Sequence, residues 1–161
     1  MIILKGDSMI NFVKSSTNEL NLVMRIRIEM LKVVNNLSED TVFSQAFMKS
    51  TEEYFKNGNQ STLLAIDDVD NEVIGCATIC YIKLMPTFDH PSGNRAHVMN
   101  VYTRSTYRRQ GIALKMMNML IEEAKQNGVT EISLDATESG RFLYEKMGFI
   151  HTDEGMILNL N

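Results

Sequence analysis

Arg108-Arg109-Gln110-Gly111-Ile112-Ala113 joins an extended segment, Ala96 to Thr103, to a helical one, Gly111 to Asn127. In the helical segment Ile112, Met116, Leu120 and Ala124 fall on one line, and Gly128 supplies the stop. At such a junction the chain turns and leaves the first N–H groups of the helix without intrahelical partners. With the positive end of the helix dipole, those groups suit a phosphate. Gly111 lets the backbone approach the anion closely, and Ala113 is small for the same reason. Neither a Walker loop nor a dinucleotide fingerprint fits, because the chain has no GxxxxGK and no two glycines two residues apart.

The charge distribution points to the same place. The 161-residue chain carries a net charge of −4, yet His90 through Ile121 holds five bases and no acid. Three of those bases, Arg104, Arg108 and Arg109, lie beside Gly111. One reading is a fluctuation on a solvated surface; the other is a compact anion site in an acidic protein. Clustering beside a glycine favours the compact site over an extended nucleic-acid track, so no nucleic-acid partner is expected.

Length and 44% hydrophobic content allow one substantial core, so residues 1–161 are expected to form a single domain, with 1–8 as a loosely used extension. No apolar run approaches the roughly 20 residues that cross a bilayer, and Met1 to Ser8 lacks a basic leader followed by a long apolar stretch. A cytoplasmic protein without a membrane partner is therefore expected. Cys76 and Cys80 share one strand-like run, where their α-carbons stand roughly 13 Å apart, too far for a disulfide. Two buried thiols follow. His90, His97 and His151 are scattered without ligand spacing, so no metal is expected.

Working outward, Ile10 to Lys14 reads as a strand, and Ser16 with Glu19 has capping-box spacing. The helix that follows carries Leu20, Val23, Met24, Ile28 and Leu31 as its buried stripe, to about Val34, with Arg25, Arg27 and Lys32 mostly elsewhere. Ser38 is expected to cap a second helix, Glu39 to Lys56, stopped by Gly58. Thr62 to Ile66 and Val73 to Leu84 flank the polar turn Asp67 to Asn71 as an antiparallel hairpin. After the long helix come a strand from Glu131 to Asp135, a short helix from Ser139 to Met147, and one or two terminal strands within Phe149 to Leu158. The fold class is α/β (α+β in some schemes), with a mixed sheet covered by helices. The unit from Ala96 to Asp135 places its two strands parallel.

The loop resembles the Gln/Arg-x-x-Gly-x-Gly/Ala motif of the GNAT superfamily, the Gcn-related N-acetyltransferases, with Arg108, Gly111 and Ala113 at its fixed positions. Asn100-Val101-Tyr102-Thr103 precedes it as in many members. Phe142 to Phe149, with Tyr144, Gly148 and Phe149, resembles the family's later Tyr-x-x-x-Gly-Phe segment. The resemblance spans about 50 residues in the family's order. It implies a mostly antiparallel sheet of six to seven strands with helices on both faces. In that sheet the fourth and fifth strands, 97–103 and 130–135, run parallel and splay to admit acetyl-CoA. It further implies that backbone near Val101, Tyr102 and Thr103 pairs with the pantetheine arm, while Arg108, Arg109, Gln110, Gly111, Ile112 and Ala113 hold the pyrophosphate. Arg104 or Arg108 would meet the ribose phosphate.

The same resemblance makes Tyr144 the general acid for the departing thiolate and a backbone amide near Val101 the oxyanion donor. Many members carry a carboxylate on the strand before the loop. This chain has none there, and His97 stands where some relatives have it, a candidate base acting directly or through water, with Asn100 able to orient a water. Ser105 replaces a frequent proline and Thr103 a common valine. Glu29 and Asp135 are candidate contacts for a cationic amine, against ordinary surface roles for both. The activity implied is acetyl-CoA-dependent transfer to a primary amine on a small metabolite or antibiotic-like compound. A peptide or protein N-terminus is the variant acceptor. A non-catalytic acyl-CoA-binding module and a cofactor-free structural domain are the competing readings. Homodimers are frequent in the family and are the default expectation.

Overall fold

The computed structural model describes residues 2–3, 9–152 and 155–160. Five strands, β1 (Met9–Lys14), β2 (Gln60–Asp67), β3 (Val73–Lys83), β4 (Asn94–Thr103) and β5 (Glu131–Leu134), lie side by side in chain order. Neighbours are antiparallel except β4 and β5, which run parallel. Ile2–Ile3 adds a two-residue antiparallel pairing outside β1, opposite Ile10 and Met9. The rest of the expected N-terminal extension lies outside the described residues.

Among the described residues four α-helices flank the sheet: α1 (Leu20–Val34), α2 (Gln45–Asn57), α3 (Ile112–Gln126) and α4 (Glu138–Lys146). Strand alternation sends side chains to two cores. On one face Ile112, Met116, Met117, Leu120 and Ala124 of α3 pack on Leu63, Ala65, Ile74, Ala77, Ile79, Ala96 and Val98. On the other, Val23, Ile26 and Met30 of α1 meet Leu64, Val73, Cys76 and Tyr102. The stripe expected on α3 is buried as read, whereas that on α1 is turned by about one residue: Ile26 and Met30 face inward, and Arg27 comes with them to the half-buried flank. A helix this rich in apolar residues satisfies more than one three-and-four pattern, and the sheet chooses between them.

Local signals account for most element ends. Ser16 and Glu19 form the capping box, leading through a 3-10 turn into α1. The second helix starts later than expected: Ser38 accepts from the Asp40 amide in an isolated turn, and Ser44 is the cap, accepting from the Phe47 amide at 3.2 Å. Replacing Ser44 with Ala is expected to cost about 1 kcal/mol, read as a lower urea midpoint at unchanged slope. Gly58 ends α2 with extended backbone, and its lack of a side chain is needed because a Cβ would sit 2.5 Å from the Tyr54 carbonyl oxygen.

The terminal strands expected within Phe149 to Leu158 do not form among the described residues. Phe149 packs against the α3-side core, but Ile150, Met156, Ile157 and Leu158 stand more than four-fifths exposed. Apolar alternation marks a strand only where a neighbouring edge completes its ladder. Among the described residues no helix is long and apolar enough to cross a membrane.

Candidate functional site

The strand, loop and helix picked out from the sequence meet at one end of the sheet. β4 pairs with β5 only from Arg95 opposite Glu131 to Val98 opposite Leu134, where β5 ends. Of the next five residues of β4, Met99, Tyr102 and Thr103 keep antiparallel partners on β3, and none of the five pairs on the β5 side. That leaves a stretch of strand edge whose backbone groups can pair with an extended ligand.

A bulge divides this stretch. Cys76 lies opposite Tyr102 and Thr78 opposite Met99, so Asn100 and Val101 together span the place of Ala77. Asn100 has φ of 58°, and the Cys76 thiol donates to its carbonyl oxygen at 3.1 Å. Burial pushes that thiol's pKa up to about 12, so it stays protonated. Before the bulge Ala96 and Val98 face α3; beyond it Val101 does, and Tyr102 faces α1.

Past Thr103 the chain turns through Ser105–Tyr107 and enters the loop. The Arg108 guanidinium reaches back to the Thr103 carbonyl at 3.0 Å, and the Gln110 side-chain amide to that of Thr106 at 3.3 Å. Tyr107 anchors the turn by donating to buried Asp67 at 2.8 Å. Arg109 and Gly111 both adopt left-handed backbone, with φ of 61° and 79°. Alternation of handedness turns successive amides toward one concavity, the geometry of an anion nest. Gly111 is the N-cap of α3 and no side chain caps it, while buried Ile112 fixes the first turn to the core. A Cβ on Gly111 would meet no protein atom within 4 Å. Arg108, Arg109, Gln110 and Gly111 are exposed, and Ala113 is half-buried behind them.

Two charged positions, Arg104 and Glu29, are paired with each other. Arg104, one of two candidates with Arg108 for a ribose phosphate, is held by two carboxylates, at 2.9 and 2.8 Å from the two Glu29 oxygens and 3.4 Å from Glu72. Glu29 also accepts from the Tyr102 hydroxyl at 3.1 Å. Burial first, then the Glu29 charge, raises that hydroxyl's pKa to about 12. Glu29, a candidate contact for a cationic amine or an ordinary surface carboxylate, thus has its charge offset by Arg104 and accepts from Tyr102.

Strand alternation puts His97 and Met99 on the sheet face that α1 covers, opposite to Ala96 and Val98. His97 Nδ1 lies 2.8 Å from Ser133 Oγ across the parallel pair, and Nε2 lies 3.8 Å from a carboxylate oxygen of fully exposed Asp135. Tyr144, on α4, packs its ring at 5.9 Å edge-on to Phe149 and against the α3-side core. Burial raises its phenol pKa, and among the described residues its hydroxyl has no hydrogen-bond partner. Gly140 makes room for that ring, since a Cβ there would stand 3.0 Å from Tyr144 Cε2.

A separate groove of about 430 Å³ opens at the far end of α3, lined by Lys14, Ser61, Tyr81, Asn94 and Glu123 among others. It lies away from Gly111, and Glu123 within it already accepts from Lys14 and Tyr81, each at 2.8 Å, and from Ser61. The nest and the open strand edge, rather than this groove, have the chemistry of a phosphate-bearing ligand.

Comparison with known proteins supplies independent findings. A model of the acetyltransferase (GNAT) family matches residues 29–149. A ribosomal protein bS18-alanine N-acetyltransferase of Haemophilus influenzae is 34% identical over 86 residues, which are 52% of this chain and 52% of that protein. The chain thus spans about half the length of the curated relative it matches. The crystal structure of a predicted acetyltransferase with acetyl-CoA from Clostridium acetobutylicum superposes with a TM-score of 0.81 at 29% identity, covering 94% of this chain and 96% of that one. A GCN5-related N-acetyltransferase from Ralstonia eutropha, at 21% identity, shares the fold with a TM-score of 0.77 over 94% and 99% of the two chains.

Proposed function

The chain belongs to the acetyltransferase (GNAT) family, and from that membership we propose that it moves an acetyl group from acetyl-CoA to a primary amine by direct attack in a ternary complex. The observation that carries this reading is the unpaired edge of β4 from Met99 to Thr103, leading into the nest at Arg109 to Ala113. An extended pantetheine arm fits the edge, and a pyrophosphate fits the nest and the uncapped start of α3. Arg108 and Arg109 add positive charge at its rim. Acetyl-CoA supplies an activated thioester; the protein supplies position, charge stabilisation and proton transfer.

A backbone amide at the bulge, near Val101, stabilises the oxyanion as the amine attacks. Tyr144, kept neutral by burial, gives its proton to the sulfur as the carbon–sulfur bond breaks. His97 takes a proton from the attacking nitrogen, directly or through a water that Asn100 helps to orient, and Ser133 with Asp135 holds the ring. A small amine is the acceptor this reading favours. The Haemophilus relative, which by its name acetylates an alanine of a ribosomal protein, supports a peptide N-terminus as the second reading.

The test is a thiol-release assay with acetyl-CoA across amino acids, polyamines, aminoglycosides and short peptides, alongside calorimetry of acetyl-CoA binding. Binding with turnover on at least one amine is the expected result. Binding without turnover on any would make the chain an acyl-CoA-binding module. With a competent acceptor in hand, His97→Gln is expected to lower kcat/KM about 10-fold or more near pH 7. The deficit should narrow as pH rises and the amine loses its proton unaided; a deficit of constant size would exclude the base role.

A further inference from the structure

Of the two arginines of α1, Arg27 is the one without a counter-charge among the described residues. Arg25, two residues earlier, reaches Glu72 at 3.4 Å, and Glu29, two residues later, is taken by Arg104. Arg27 makes a single hydrogen bond, from a terminal guanidinium nitrogen to the Asn100 side-chain oxygen at 3.1 Å. Its Nε is buried and has no hydrogen-bond partner, and among the described residues no carboxylate lies within ion-pair distance of it. A guanidinium carries five N–H donors, and taking one out of water without acceptors is costly. This happens in a chain with 20 acidic residues against 16 basic ones.

The position of Arg27 tells what the missing acceptor belongs to. Its one partner, Asn100, is the bulge residue of β4, next to Val101 and three residues beyond His97. Arg27 lies between α1 and the sheet, on the face that also carries His97. Asn100 is in turn bonded to Thr78 at 3.4 Å and Thr78 to Thr62 at 2.8 Å, so the polar groups beneath Arg27 are uncharged.

We infer that Arg27 is the receptor for an oxyanion on the acceptor, and that the acceptor is an amine bearing a carboxylate, of the amino-acid class. This rests on the acetyl-transfer reading of the same site. A carboxylate matches the planar fork of a single guanidinium, whereas a doubly charged phosphate ordinarily draws several donors. The fixed positive charge has a second effect. Held near the acceptor nitrogen, it disfavours the ammonium form and raises the fraction of neutral, nucleophilic amine. Burial acts the same way on Arg27 itself, lowering its pKa from a value too high for it to lose its charge, and an arriving carboxylate reverses that penalty.

The experiment uses matched pairs: amino acids such as phenylalanine and lysine against their amides, with glucosamine 6-phosphate as the phosphate arm. Acetyl-CoA affinity is measured first by calorimetry; absence of binding there would overturn the acetyl-transfer reading and this inference with it. With binding present, the wild-type protein is expected to favour each free carboxylate over its amide by about 10- to 100-fold in kcat/KM. Arg27→Gln should abolish that preference by lowering the free carboxylates far more than the amides, at an acetyl-CoA affinity close to the parent's, and Arg27→Lys should restore part of it. If amides are preferred, if Arg27→Gln lowers both members of each pair equally, or if the phosphate amine outruns the carboxylates, the assignment is wrong. So it is if acetyl-CoA binds and none of these amines turns over.

Discussion

Tyr144→Phe is expected to lower kcat by about 100-fold while leaving acetyl-CoA affinity close to that of the parent protein. The substitution is unusually clean here. The Tyr144 ring is held by its edge-on contact with Phe149 at 5.9 Å and by packing on the α3-side core, and phenylalanine keeps both. Among the described residues the hydroxyl has no partner, so removing it leaves no donor or acceptor stranded. Thermal stability should therefore barely move, and a fall in turnover cannot be assigned to unfolding. Burial raises the phenol's pKa, which extends the acid form to higher pH. The alkaline fall in kcat caused by its ionisation should accordingly lie above the ordinary tyrosine range in the parent and be missing from the variant. An unaltered rate would remove Tyr144 from the chemistry.

Gly111→Val is expected to weaken acetyl-CoA binding by about 100-fold or more, the loss of two or more charge-assisted hydrogen bonds to phosphate. Two effects must be separated. At φ of 79° a β-branched side chain strains the backbone by about 1–2 kcal/mol. It also places atoms where the anion would sit, although it clashes with nothing in the protein. Gly128→Val separates them. Gly128 follows the other end of α3 with φ of 68°, and a Cβ there would lie no closer than 3.6 Å to its nearest neighbour, Asn94 Nδ2. It carries the same strain at a distance from the nest. Calorimetry should show near-parental affinity for Gly128→Val and severe loss for Gly111→Val. Equal affinities would sink the phosphate assignment of the loop.

What could be read from the sequence was local. The turn at Gly111, the line of Ile112, Met116, Leu120 and Ala124, and the Ser16 capping box each depend on residues within one or two turns of one another. The parallel pairing of β4 and β5 followed from their connection by a helix. What could not be read depends on partners distant in the chain. Arg27 looked like a solvent-facing base because α1 has apolar residues on several sides, and only the sheet decides which side it covers. Glu29 looked available for an amine because its partners, Tyr102 and Arg104, lie more than 70 residues away. Together these reverse the electrostatic reading of the α1 face of the sheet: the candidate carboxylate is neutralised, and among the described residues the cation at the bulge has no acid paired with it. The terminal strands failed for a related reason, since alternation describes one strand and a ladder needs two.

The bulge at Asn100 and Val101 amounts to a change of phase along β4. Up to Val98, even-numbered residues belong to the α3 layer; from Val101 onward, odd-numbered ones do, and Tyr102 is released to the opposite layer to meet Glu29. One strand thereby serves two independent sets of neighbours, with the inserted residue as the boundary. Substitutions before that boundary retune the His97 and Ser133 side, and substitutions after it retune the edge beside the nest, without either disturbing the parity of the other. Deleting the inserted residue would restore regular pairing and leave Val101 and Tyr102 on their present layers, whereas straightening the strand with that residue kept would carry one parity through both halves and turn Val101 and Tyr102 to each other's layers.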